Sequence, residues 1–74
     1  MKELIVYSVI VTYEDYSDDL DEIYPTRESA IRHAKKLLSQ SSIIEVRVNQ
    51  DVVTEEYGRR WRSTAYRETK QALG

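Results

Sequence analysis

The chain of 74 residues contains no cysteine, one histidine, one proline and two glycines. Without cysteine there is neither a disulfide nor a thiolate metal ligand, and the lone His33 does not by itself assemble a zinc site. Gly58 and Gly74 are the only glycines, which excludes a glycine-rich phosphate loop. No Ser, Asp or Glu is placed by the sequence to orient His33, so a catalytic triad has no support. Long apolar runs are also missing: the longest, Leu4 to Val11, is broken by Tyr7 and Ser8, and Met1 is followed at once by Lys2 and Glu3. This predicts neither a leader nor a membrane span, and therefore a soluble intracellular protein. A domain this small rarely has room for a pocket and the shell that preorganises it, so the expectation is a protein that is not an enzyme and has no cofactor or metal.

What is present is a globular composition, 41% hydrophobic and 32% charged. One domain is expected over residues 1–68, with 69–74 as a C-terminal tail. Its stability margin should be narrow, and with no disulfide to staple it, association into a homodimer is the remaining common device. The charges are strongly segregated. Residues 1–26 carry Lys2 as their one cation against seven anions (Glu3, Glu14, Asp15, Asp18, Asp19, Asp21, Glu22), whereas residues 57–74 carry Arg59, Arg60, Arg62, Arg67 and Lys70 against Glu68. A near-neutral total of −2 thus conceals two opposite fields, which bear on partners and encounter rates rather than on fold.

Leu4 to Tyr13 is β-branched and aromatic almost throughout and apolar on both alternating sets of side chains, which predicts a central strand. Glu14 to Asp21 reads as an acidic loop, and Glu22-Ile23-Tyr24 as a short returning edge strand before Pro25. Thr26 is a good helix N-cap, Glu28 suits the first turn, and Ala30, Ile31, Ala34, Leu37 and Leu38 form one apolar stripe. The helix should end between Gln40 and Ser42. Ile44, Val46, Val48 and Val52 then alternate with Glu45, Arg47, Asn49 and Asp51, predicting a strand over 43–54. Glu55 to Gly58 supplies a turn, with Gly at the position that takes positive φ, and Arg59 to Tyr66 alternates as a fourth strand. A second helix from Thr54 is the competing reading, supported by the pairs Glu55/Arg59 and Glu56/Arg60, but it would enclose Gly58. The prediction is an α+β fold, ββαββ, with a four-stranded antiparallel sheet in the order 2-1-3-4 and one helix on one face.

One helix covers one face, so the other must be open to the tail, a second copy or a partner. With Leu4, Val6, Ser8 and Ile10 under the helix together with Val46, Val48 and Trp61, the open face would gather Tyr7, Val9, Val11, Tyr13, Arg47, Arg60, Arg62 and Tyr66. Aromatics between arginines on a sheet can stack bases and neutralise phosphates, and they equally suit a dimer or protein interface. A sequence pI near 5.3 ranks nucleic acid below protein as the partner. Six acids fall within residues 14–22. A calcium loop counted from Asp15 would need Gly and Glu where Leu20 and Thr26 stand, so the stretch is better read as a mimic of a phosphate backbone. Asp15, Asp18, Asp19, Asp21 and Glu22 would then meet cationic side chains, with Tyr16 and Leu20 as anchors.

The segments Y-S-V-I-V-T-Y-E-D, from Tyr7, and E-I-Y-P-T-R-E-S-A-I-R-H-A-K-K-L-L, from Glu22 to Leu38, resemble the small ββα-containing proteins encoded by bacteriophages and prophages. The resemblance implies an accessory protein of the bacterial host cytoplasm that binds a host enzyme, a class that includes inhibitors of defence systems such as anti-CRISPR proteins. It carries over no functional residues. The expected function is therefore a non-enzymatic binding protein that modulates a host protein through the acidic loop and the open sheet face. The alternatives are a nucleic-acid-binding module using Arg59, Arg60, Arg62, Tyr66 and Arg67, or a homo-oligomeric structural subunit.

Overall fold

The computed structural model describes residues 2–70. Four strands, β1 (Leu4–Tyr13), β2 (Asp18–Tyr24), β3 (Ile43–Thr54) and β4 (Gly58–Thr69), form one antiparallel sheet in the order β2-β1-β3-β4. The single helix α1 (Arg27–Leu38) joins β2 to β3 and packs mainly on β3 and β1. The strand reading of residues 54–69 thus prevails over the helical one, and Gly58, at φ 66, takes the left-handed conformation that the turn requires. No helix among the described residues is long and apolar enough to cross a membrane.

Thr26 caps α1 as its side chain suggests: its φ and ψ are extended, and its hydroxyl accepts from the Ser29 N–H at 3.2 Å. The helix stops at Leu38, with Ser39 as its C-cap, just short of the serine-rich stretch where local side-chain hydrogen bonds compete with the ladder. Its stripe buries Ala30, Ala34 and Leu38 against Val9, Val11, Ile43, Val46 and Val48. The small alanines let the helix lie close to the valine surface of the sheet.

The buried face of β1 is the opposite of the one expected. Register decides it: β1 and β3 pair Val9 with Val48 and Val11 with Val46, so the odd residues of β1 share a face with the even residues of β3. Tyr7, Val9, Val11 and Tyr13 therefore lie under α1, and Leu4, Val6, Ser8, Ile10 and Thr12 form the open face. Trp61, expected under the helix, pairs with Asp51 and is 64% exposed. Tyr66 packs against the core, whereas Arg47 pairs with Ile10 on the open face. The supposed aromatic and arginine surface is thereby divided between the two sides.

The sheet is long and the helix short. The Cα extents are 50 × 22 × 16 Å. A 12-residue strand reaches about 40 Å, and a 12-residue helix about 18 Å. β2 pairs only with Tyr7 to Thr12, at the end of the sheet marked by the β1–β2 turn, and α1 covers that half. Beyond it β1 contributes Leu4 to Val6, paired with Asp51 to Val53, while β3 and β4 continue as a hairpin arm. The last residues of β4 extend the sheet into the predicted tail: Thr69 is in the strand, and the Lys70 N–H donates to the Ile44 carbonyl at 2.8 Å. Residues 71–74 of that tail lie outside the described residues.

Candidate functional site

An acid-rich turn and an arm bearing exposed aromatics and arginines occupy the two ends of the sheet. β1 and β3 run antiparallel, so the turn after Tyr13 and the turn before Gly58 lie at opposite ends. The segregation seen in the sequence is carried into the fold only in part: Arg59, Arg60 and Arg62 lie toward the end opposite the acidic turn, next to Glu55 and Glu56, whereas Arg67 and Lys70 return to the acidic end.

At the acidic end, residues 14–17 make the turn and Asp18 to Glu22 belong to β2. The second half of the expected acidic loop, Asp18 to Asp21, is thus edge strand, because pairing with β1 overrides the weak strand propensity of aspartate, and charge on an edge discourages pairing with another sheet. The Tyr16 N–H donates to the Tyr13 carbonyl at 2.8 Å and the Tyr13 N–H to the Ser17 carbonyl at 2.9 Å. This is a tight turn ended by a left-handed residue, a position that usually takes glycine. Tyr16 occupies it at φ 66 and is 81% exposed. The Ser17 hydroxyl and N–H both donate to Asp15 and hold its carboxyl below the ordinary value. Glu14 is tied to the loop after α1, its N–H donating to the Ser42 carbonyl at 3.0 Å.

The acids of β2 diverge in surroundings. Asp18 faces the open side, where the Thr12 hydroxyl donates to it at 2.6 Å and Arg47 reaches it at 2.9 Å. The Thr12 hydrogen bond, assisted by Arg47, keeps the Asp18 carboxyl below the ordinary aspartate range. Arg67 pairs with Glu45 at 2.9 Å beside it, and Thr69 donates to the same carboxylate at 2.7 Å. Burial pushes Glu45 upward, but Thr69 and Arg67 outweigh it and the net shift is downward. Asp18, Arg47, Glu45 and Arg67 thus form a chain of charges across the open face, linking all four strands with Thr12. Internal neutralisation is greater than the separation of the two hairpins in the sheet suggests.

Asp21 and Glu22 lie on the helix side. Val9 pairs with Glu22 and Ile10 with Leu20, so Asp21 is the extra residue of a bulge. Neighbouring strand residues normally point to opposite faces, and a bulge re-aims one of them. The Asp21 Oδ2 atom lies 2.7 Å from His33 Nε2 on α1, and the Tyr24 hydroxyl donates to Glu22 at 2.9 Å. The Tyr24 and His33 rings meet at 5.3 Å between centroids. Burial, together with Glu22, pushes the Tyr24 phenol up to about 12. Asp19 and Leu20 remain exposed, and Asp19 forms no ion pair with any described residue.

At the other end, the arm displays Tyr57 and Trp61, 61% and 64% exposed, amid Arg59, Arg60 and Arg62. The Arg60 guanidinium lies 5.4 Å from the Tyr57 ring centroid, an aromatic–cation contact at the surface. An open cleft of about 440 Å³ runs between Val52, Tyr57, Arg60, Trp61 and Arg62. Arg59 turns to the open face, where its Nε is 3.6 Å from the buried carboxylate of Asp51, itself hydrogen-bonded by the Ser8 hydroxyl at 2.9 Å. Of the residues predicted as one nucleic-acid or oligomer face, only Arg60 and Arg62 lie on this arm. Tyr7, Tyr13 and Tyr66 pack against the core instead, and Arg47 belongs to the open-face charge chain.

Tyr57 and Trp61 were not singled out from sequence as an exposed pair. Their signal was the length of β3 and β4 against that of the helix: a strand pair twice as long as its cover must leave one end bare. The meeting of His33 with Asp21 and Glu22 had no comparable signal, because it depends on the bulge.

No protein-family model, curated protein or solved structure matches this chain.

Proposed function

We propose that the chain is a non-enzymatic binding protein that docks its acidic end onto a cationic surface of a protein partner, in the manner of the phage-encoded accessory proteins its sequence resembles. The observation that carries this reading is Tyr16. An L-residue in the left-handed region is strained by about 1–2 kcal/mol, and a side chain that is 81% exposed recovers none of it by packing within the fold. Strain of this kind persists where a site uses it. Here it presents an aromatic ring at the tip of a turn that carries Glu14 and Asp15, with Asp19 exposed on the helix side of β2 and Leu20 on its open side. Aromatic anchors ringed by charge are the usual energetic centres of protein interfaces, and the surrounding acids speed encounter with a basic partner. A host enzyme that handles nucleic acid offers such a basic surface.

The test is an affinity capture from nuclease-treated host lysate with wild-type protein and two variants. Tyr16→Gly and the triple change Glu14→Lys, Asp15→Lys, Asp19→Lys should each lose the captured protein while keeping the wild-type circular dichroism spectrum. Undiminished capture by both variants would remove the acidic turn from the interface.

A second reading is favoured by one observation, the exposed Tyr57 and Trp61 interleaved with Arg60 and Arg62 on the arm. This composition fits stacking on unpaired bases with phosphate neutralisation. Trp61 is the single tryptophan, so its fluorescence reports directly on that surface. Titration with single-stranded oligonucleotide at low salt should quench it, and added salt should reverse the quenching. Unchanged fluorescence at low salt sinks this reading.

A further inference from the structure

We propose that Asp21, Glu22 and His33 form a three-ligand site for a divalent transition ion of the zinc type, with water completing a tetrahedron. The ligand atoms of these three residues all lie within 4.8 Å of one another. Zinc held at ordinary bond lengths separates neighbouring tetrahedral ligands by about 3.4 Å. The Asp21 to His33 contact of 2.7 Å must therefore open by about 0.7 Å, and the carboxylate of Glu22 must move in by up to about 1.4 Å. His33 is partly exposed and Asp21 and Glu22 are on the surface, so these adjustments disturb no core packing.

The donor set fits the ion. Imidazole with carboxylates suits borderline divalent metals, and three protein ligands with one open position is a common zinc pattern. Two features go beyond proximity. The bulge at Asp21 directs two consecutive side chains toward the helix, where an unbroken strand would send one of them to the opposite face. Glu22 also accepts a hydrogen bond from the Tyr24 hydroxyl at 2.9 Å, the kind of outer partner that orients a metal-binding carboxylate. A bound ion would replace the hydrogen bond between Asp21 and His33 and tie the edge strand β2 to α1.

His33 is the only histidine, which makes it an unambiguous reporter. The untagged chain, freed of metal by chelator, should take up one zinc ion in a calorimetric titration and shift the His33 ring nitrogens in its NMR spectrum. His33→Gln should abolish the binding, while Asp21→Asn and Glu22→Gln should each weaken it by at least about 10-fold. Tyr24→Phe, which removes only the outer hydrogen bond, should weaken it about 10-fold. Zinc should also raise the melting temperature of the wild type and not of His33→Gln, because a ligand stabilises only the state that binds it. Equal binding by wild type and His33→Gln would reveal diffuse attraction to the acidic surface and overturn the site, as would the absence of any zinc-dependent heat. The triple lysine variant of the acidic turn leaves all three ligands in place and should retain one-to-one zinc uptake, so this site and the docking surface can fail separately.

Discussion

The half of the sheet beneath α1 and the arm that projects beyond it share three strands, β1, β3 and β4, yet they obey different rules. Under the helix the centre is made of small and β-branched residues, with Tyr7, Tyr13, Tyr24 and Tyr66 packed at its margin, and Val9, Val46 and Val48 are wholly buried. On the arm, Leu4, Tyr57 and Trp61 are each more than half exposed, although they are the larger side chains. Burial by the second layer, rather than hydrophobicity, separates core from surface in this chain. One half supplies the core, while the acidic turn and the arm with its arginines stay exposed.

The largest test of this contrast sets Leu38→Ala against Trp61→Ala. Removing the Leu38 side chain from the helix–sheet contact should destabilise the protein by about 2–5 kcal/mol, a major part of the stability of so small a domain. Trp61→Ala, despite deleting more atoms, should change stability by no more than about 0.5 kcal/mol. Equal losses in urea unfolding would show that the arm is part of the core after all. Next in size is Thr26→Ala, which leaves the Ser29 N–H uncapped and should lower stability by about 1 kcal/mol. No measurable loss would mean that packing alone holds the first turn of α1.

A smaller change of opposite sign is expected at the acidic tip. Tyr16→Gly relieves the left-handed strain and partly offsets it with greater freedom of the unfolded chain, for a net gain of about 0.5 kcal/mol. A loss of stability would show that Tyr16 packs within the fold, contrary to its exposure. The last prediction concerns pH. Asp18 and Glu45 have folded-state pKa values below their ordinary ones, so their contribution is present above the ordinary values, 3.8 for Asp18 and 4.5 for Glu45, and is lost as pH falls through the lower folded values. Thr12→Val should raise the Asp18 titration midpoint seen by carboxyl NMR toward 3.8. An unmoved midpoint would assign the shift to Arg47 alone.

Local chemistry explains what was legible in the sequence. Thr26 before an apolar stripe marks a helix start in any context, Gly58 between two alternating runs marks a turn, and four strands around one helix of this size leave few arrangements. The acidic stretch was harder. Asp18 to Asp21 has the composition of a loop and becomes a strand only because β1 offers it a ladder, a condition set by residues on the other side of the turn. The two ends were legible as charges but not as places, since strand lengths alone do not show which end of the sheet the helix covers or that Arg67 and Lys70 return to the acidic end. The meeting of His33 with Asp21 and Glu22 was not legible at all.

By itself, then, the sequence determined the elements, their order in the sheet, the helix cap, the glycine turn and the sign of each terminal region, all of which follow from neighbouring residues and their periodicity. Tertiary structure alone decided which face of β1 is buried, because both of its faces are apolar and only the pairing of Val9 with Val48 and Val11 with Val46 distinguishes them. It also placed the bulges, at Asp21 in β2, at Ile44 in β3 and at Arg62 and Ala65 in β4. Each inserts one residue and reverses the side on which the following residues emerge. A strand's pattern has a period of two, so a single insertion at a distant pairing is enough to move a side chain from the core to the surface.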